Sequence, residues 1–158
     1  MSKYEWLLFL HVTAAFALIS AITLYTVALI AGWGRDRPSQ VAILFRFQRP
    51  AGILVGLGAA GVLVFGIWLA LDQDYGIGDE WVLAAIALWI VSVAAGVLIG
   101  KEFAPAQKLA EELAREGDQP SADLAARMRS RRGLLLHALS TGSVLAMAAL
   151  MVFKPGAF

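Results

Sequence analysis

Four long runs of uncharged residues constrain this chain more than any other feature of its sequence. They cover residues 6–31, 51–71, 81–100 and 133–153. About 20 helical residues cross a hydrocarbon core about 30 Å thick, so each run is long enough to span a bilayer. Because the runs are continuous and do not alternate, they predict spanning helices and not the strands of a barrel. The sequence therefore predicts an all-α integral membrane four-helix bundle, with residues 1–158 as a single transmembrane domain.

Composition supports the same class of protein. Apolar residues make up 59% of the 158 residues and charged residues 16%, against about 45–50% and about 25% in soluble domains. The formal net charge of +1 lacks the basic footprint of a nucleic-acid-binding protein. The chain has no cysteine, which excludes disulfides, thiolate metal sites and cysteine nucleophiles. We therefore predict the lipid bilayer as a partner and no nucleic acid.

The charges between the runs predict the orientation in the membrane. Eleven of the thirteen basic residues lie between the first and second runs or in the segment 101–132. The segment between the second and third runs carries four acidic residues and no base. Since basic loops stay on the cytoplasmic side, both termini are predicted to lie outside.

The segment 101–132 predicts a cytoplasmic helical hairpin between the third and fourth spans. Apolar residues recur at helical spacing after position 101, so span three is expected to continue as an amphipathic helix. Ser121 is a candidate N-cap for a second helix that runs through Leu124 and Met128 into span four. Pro50 is expected to precede span two, where its missing N–H costs nothing.

Small residues at four-residue spacing predict where the helices pack. Lipid tails are as apolar as leucine, so close packing at small residues drives association between spans. Spans two, three and four each carry such a stripe: Gly52, Gly56 and Ala60; Ser92, Gly96 and Gly100; Ala138, Gly142 and Ala146.

No Asp, Glu, Lys or Arg lies within the four runs, but two histidines do. His11 lies toward the outer end of span one and His137 toward the cytoplasmic end of span four, so their depths should differ by roughly 15 Å. One haem bridged by both is therefore not expected. Met147 and Met151 lie at a depth comparable with His11, and a histidine with methionines can ligate haem iron or Cu(I). The alternative is that these methionines fill gaps in an apolar core.

Four short segments carry a resemblance to a known family. They are residues 7–15 (LLFLHVTAA), 66–69 (GIWL), 78–81 (GDEW) and 151–155 (MVFKP). Together they resemble a bacterial family of predicted four-span integral membrane proteins of unknown function, which implies the bacterial inner membrane. The pattern around His11 is also similar to the copper-resistance protein D family and to the membrane protoporphyrinogen oxidase group. That wider likeness implies haem or copper chemistry centred on His11.

Three functional hypotheses follow. The first is a non-enzymatic membrane module, free-standing, homodimeric or an accessory subunit of a membrane complex, because packing motifs are abundant and no catalytic constellation is evident. The second is a redox-linked binder of haem b or copper that uses His11 with Met147 or Met151. The third is a transporter of a small neutral solute, although the sequence lacks the broken helices that usually mark such sites.

Overall fold

The computed structural model describes residues 2–33, 35–73 and 75–153. Asp74 of the acidic loop, and Lys154 and Pro155 of the last family-like segment, lie outside the described residues. The described part of the chain contains no strand, which confirms the predicted all-α fold. Its helices are α1 (Lys3–Trp33), α2 (Pro38–Asp72), α3 (Glu80–Arg115), α4 (Ala122–Met128) and α5 (Arg131–Phe153).

Four helical segments of the described chain are long and apolar enough to cross a membrane, and α4 with α5 counts as one of them. This confirms the four predicted spans. With 36 residues, α3 is about 54 Å long, well beyond a hydrocarbon core of about 30 Å. Its last turns therefore form the first arm of the predicted hairpin, and α4 belongs to the second.

The bundle consists of two helix pairs. Helix α1 packs along α2, α3 packs along α5, and contacts between α2 and α3 join the pairs, whereas α1 barely touches α5. We call the end that carries the α1–α2 turn and the α3–α5 connection the basic end. The opposite end, which carries the α2–α3 turn, is the acidic end.

Two glycines of α2 let α1 approach closely. A Cβ added at Gly58 would lie 2.8 Å from the Leu18 backbone nitrogen and 3.0 Å from the Ala14 carbonyl oxygen, and one at Gly61 would lie 2.7 Å from the Ala14 Cβ. Small residues therefore do mediate packing, but the predicted stripe was wrong. A Cβ at Gly56 would meet no described atom within 4 Å.

An apolar cluster packs the helices together at the basic end. It stabilises the parts of α2 and α3 that lie beyond the predicted spans. Leu124 and Met128 of α4 pack with residues of α1, α2 and α3 in this cluster. Burial of Val41 and Phe45 there favours a helix that begins at Pro38. The predicted position of Pro50 before span two was therefore wrong, because Pro50 lies inside α2. The full cluster, named the basic-end core, is Leu29, Val41, Ala42, Phe45, Phe103, Ala106, Ala110, Leu124 and Met128.

A serine side chain caps the N-terminus of each helix that follows the hairpin turn, α4 and α5. The Ser121 hydroxyl accepts a hydrogen bond from the Leu124 N–H at 3.3 Å, which confirms the predicted N-cap. The helix that starts there does not continue into span four, and that prediction was wrong. Ser130 interrupts it, because its Oγ accepts the Gly133 N–H at 3.1 Å and donates to a Glu102 carboxylate oxygen at 2.6 Å.

The start of α2 is capped from a distant part of the chain. Asp118 follows Gly117 in the α3–α4 turn, and both have positive φ, +56° and +118°; aspartate tolerates this region better than most residues. The Asp118 carboxylate accepts the Ser39 N–H at 2.7 Å and the Ser39 hydroxyl at 2.6 Å. These bonds lower the pKa of Asp118 and satisfy an N–H that the first turn of α2 leaves unpaired.

We predict that Asp118→Asn destabilises the protein at neutral pH and removes part of its acid sensitivity. Because the folded pKa is the lower one, the carboxylate stabilises the fold above the unfolded pKa of about 3.9. That contribution is lost as the pH falls through the folded pKa. Thermal unfolding in detergent between pH 3 and pH 7 measures it. Asp123→Asn is the control, since among the described residues the Asp123 carboxylate pairs with Arg127 of its own helix; an equal effect of both changes would contradict the capping role.

Candidate functional site

A cavity of about 530 Å³ extends from the middle of the bundle to the basic end. All four long helices line it, together with Met128 of α4. Its volume falls within the range of about 300–1,000 Å³ that is usual for ligand pockets. Most of its walls are apolar, and its polar lining residues are Tyr25, Gln48, Arg49, Ser92, Gln107, His137 and Ser140.

Glycines on two facing helices create the space. Gly52 and Gly56 of α2 and Gly96 and Gly100 of α3 line the cavity. A Cβ added at Gly56, Gly96 or Gly100 would meet no described atom within 4 Å. The glycines of the stripes that were predicted to bring helices together on α2 and α3 therefore line a cavity, whereas Ser92 of the α3 stripe contacts Ser140 of α5.

The cavity opens sideways between α2 and α3. Gly56 and Ala60 of α2 and Val97 and Gly100 of α3 line it and are also exposed on the surface of the bundle. We call this opening the window. In a membrane-spanning bundle, such a surface at mid-helix faces lipid, so the window connects the cavity with the bilayer.

Two contacts between α2 and α3 form the two ends of the window, one at the middle of the bundle and one at the basic end. In the middle of the bundle the Trp89 indole N–H donates to the Ala59 carbonyl oxygen at 2.9 Å. The Trp89 side chain forms the floor of the cavity. At the basic end an Arg49 Nη2 lies 3.1 Å from a Glu111 carboxylate oxygen.

Polar side chains inside the cavity are mostly paired with one another or with backbone. The His137 Nε2 lies 2.8 Å from the Thr26 hydroxyl, which also contacts the Ile22 carbonyl at 2.9 Å. A threonine hydroxyl has one proton, so both contacts are hydrogen bonds when Nε2 carries the imidazole proton. Ser92 and Ser140 join α3 to α5 with hydroxyl oxygens 3.1 Å apart.

His11, the first predicted cofactor ligand, lies outside this cavity. Its ring packs beside the Val62 and Gly66 backbone of α2, with Nδ1 3.2 Å from where a Gly66 Cβ would be. That nitrogen is buried and has no hydrogen-bond partner of normal geometry among the described residues. His137 bonds to Thr26, 15 residues farther along α1, so the two imidazoles are about 22 Å apart along that helix.

Met147 and Met151, the other predicted ligands, line a second cavity of about 40 Å³ between α2, α3 and α5. Gly66 also borders this cavity, whereas His11 is not among its lining residues. A space of this size holds a few waters or an ion and is too small for a porphyrin. One imidazole and two thioethers suit Cu(I) by donor type, but the described residues do not gather them around one space.

Sequence reasoning missed the polar rim of the large cavity. Arg49 was interpreted only as a topology signal, and Gln48 and Gln107 were not singled out. A usable signal was present, because Gln48, Gly52 and Gly56 follow one another at helical spacing. Such spacing places a polar group above small residues on one face of α2.

Comparison with known proteins gives one match. A family model described as "Predicted integral membrane protein (DUF2269)" matches residues 5–155. This finding agrees with the resemblance to a membrane family of unknown function, but it does not support the wider likeness to the copper-resistance and protoporphyrinogen oxidase groups. No curated protein and no solved structure matches the chain.

Proposed function

The chain belongs to this family of predicted integral membrane proteins, and we propose that it is a non-enzymatic membrane module that binds an amphipathic molecule from the surrounding bilayer. It acts alone or as an accessory subunit of a larger membrane complex. In this proposal the basic end faces the cytoplasm of a bacterial inner membrane and both termini lie outside. The observation that carries the proposal is a ligand-sized cavity with a side opening toward lipid.

The chemistry of the cavity favours binding of an amphiphile. Its walls are mainly aliphatic, aromatic and glycine, which suits an apolar chain. Its charged and amide side chains lie at one end, where Arg49, Gln48 and Gln107 line the rim. Ligand sites usually combine apolar walls with a few placed polar groups that fix orientation.

Filling the cavity tests this function. We predict that Gly96→Leu lowers the amount of phospholipid bound by the purified full-length protein about tenfold or more, since overpacking a site costs about 1–3 kcal/mol. Native mass spectrometry in detergent, with an equimolar mixture of phosphatidylglycerol and phosphatidylcholine, measures the bound lipid. The variant should fold, because a Cβ at Gly96 meets no described atom and leucine suits a helix better than glycine.

Gly142→Leu is the matched control. Like Gly96, Gly142 is a helical glycine with open space at its Cβ, but it lies on α5 and does not line the cavity. It should bind as much lipid as the unchanged protein. If Gly96→Leu retained full binding, or if both variants lost it equally, the cavity would not be the binding site.

A second candidate function is Cu(I) binding by His11 with Met147 or Met151. It is favoured by the buried His11 Nδ1, which has no hydrogen-bond partner of normal geometry among the described residues. Haem b is disfavoured there because the cavity that both methionines line is only about 40 Å³, and neither His11 nor Met151 lines the larger cavity that Met147 also borders. This candidate predicts that His11→Ala abolishes copper retention after Cu(I) loading, whereas His137→Ala does not. Equal retention in both variants would reject it.

A further inference from the structure

The cavity has the length of one leaflet of the bilayer. Arg49 at its rim and Ala59 at its floor are ten residues apart on α2, which corresponds to about 15 Å along the helix. One leaflet contributes about half of a hydrocarbon core about 30 Å thick. With the Ala59–Trp89 contact at the middle of the membrane, the Arg49 guanidinium lies at the level of the lipid headgroups on the basic side.

The rim carries more positive than negative charge, and several arginines share the carboxylate of Glu111. The Glu111 carboxylate contacts Arg49, and the charges of Arg46 and Arg115 also act on it. Its other hydrogen bond comes from the Gln107 side-chain N–H at 3.0 Å. The Arg49 side chain is 65% exposed, and ion pairs between exposed groups contribute little to stability. The guanidinium is therefore available to another anion, while Gln107 retains Glu111.

Resting on the function proposed above, we infer that the occupant is an anionic phospholipid of the adjoining leaflet. Arg49 binds its phosphate in exchange for Glu111, in the fork geometry that guanidinium groups offer to phosphate oxygens. One acyl chain passes through the window and lies along Gly56, Gly96 and Gly100 as far as Trp89. The exposed edge of the window leaves room for the rest of the lipid to stay in the bilayer.

Headgroup selectivity tests this inference. The full-length protein in detergent is titrated with phosphatidylglycerol or phosphatidylcholine of identical chains, and bound lipid is counted by native mass spectrometry. We expect the unchanged protein to prefer phosphatidylglycerol about tenfold, because the choline cation of phosphatidylcholine offsets the charge of the phosphate that Arg49 binds. Arg49→Gln should reduce that preference to near unity, because it weakens phosphatidylglycerol binding more than phosphatidylcholine binding. Glu111→Gln, which removes the competing carboxylate, should increase the preference.

Arg127→Gln is the matched control. Arg127 is also an exposed arginine in a 3.0 Å pair with an acid, Asp123, but it lies on α4 and does not line the cavity. Its loss should leave the preference unchanged. Equal binding of the two lipids by the unchanged protein, or an equal effect of Arg49→Gln and Arg127→Gln, would overturn the inference and leave the proposed function standing. Binding of neither lipid would overturn both.

Discussion

Replacing Gly58 by alanine is expected to destabilise the packing of α1 on α2 by about 1–3 kcal/mol, and replacing it by leucine should prevent the bundle from assembling. The reason is that the added Cβ would lie 2.8 Å from the Leu18 backbone nitrogen and 3.0 Å from the Ala14 carbonyl oxygen. These neighbours are backbone atoms, so they cannot rotate away as a side chain can. The helices would have to separate along their whole contact.

Gly56→Ala provides the comparison for this prediction, two residues away on the same helix. Its Cβ would meet no described atom within 4 Å, so alanine should be neutral or stabilise the helix by up to about 1 kcal/mol. Thermal unfolding of both variants in the same detergent, followed by circular dichroism, measures the difference. If Gly56→Ala destabilised as much as Gly58→Ala, the assignment of one glycine to the helix contact and the other to the cavity would be wrong.

These two glycines show which part of the fold is accessible from sequence. The four spans follow from the length and hydrophobicity of local segments, and the structure confirms them. Which face of α2 meets α1 depends on the rotation of both helices, and that is set by their mutual packing. Small residues at four-residue spacing predict a smooth helix face, but this spacing is the same whether another helix or a cavity lies against that face.

The helix ends likewise fall into two groups, those that a local sequence pattern predicts and those that depend on a distant contact. Ser121 was correctly predicted as an N-cap because its hydroxyl bonds to Leu124, three residues away. The break at Ser130 could not be predicted, because its hydroxyl is held by Glu102 of α3. The cap of α2 by Asp118 joins positions 79 residues apart, which no local pattern can encode.

The sequence predicted only part of the candidate site, for a related reason. His11, Met147 and Met151 were chosen by donor chemistry and by depth, which residue counting along a helix provides. Counting does not give the direction in which each side chain points, and His11 is not among the residues that line the methionine cavity. Arg49 was overlooked because its charge already had an explanation in the orientation of the loops. A residue that satisfies the topology rule can also form the rim of a site.

Leu124→Ala is expected to cost about 2–5 kcal/mol, the range for truncating a buried leucine. Leu124 is 1% exposed and packs in the basic-end core with residues from three other helices. The loss should be largest locally, so hydrogen exchange should speed up across α4 more than in the spans. Leu135→Ala is the control, because that side chain is 61% exposed on α5 and its truncation should change stability by no more than about 0.5 kcal/mol.

The same variant links the basic-end core to the cavity. Met128 belongs to this core and also lines the cavity, and α4 holds it in place. Loosening α4 should therefore weaken phospholipid binding, whereas Leu135→Ala should not change it. If Leu124→Ala cost no more stability than Leu135→Ala, α4 would not be docked on the bundle as described. If it destabilised the protein but left lipid binding intact, the spans alone would form the site and the hairpin would serve stability only.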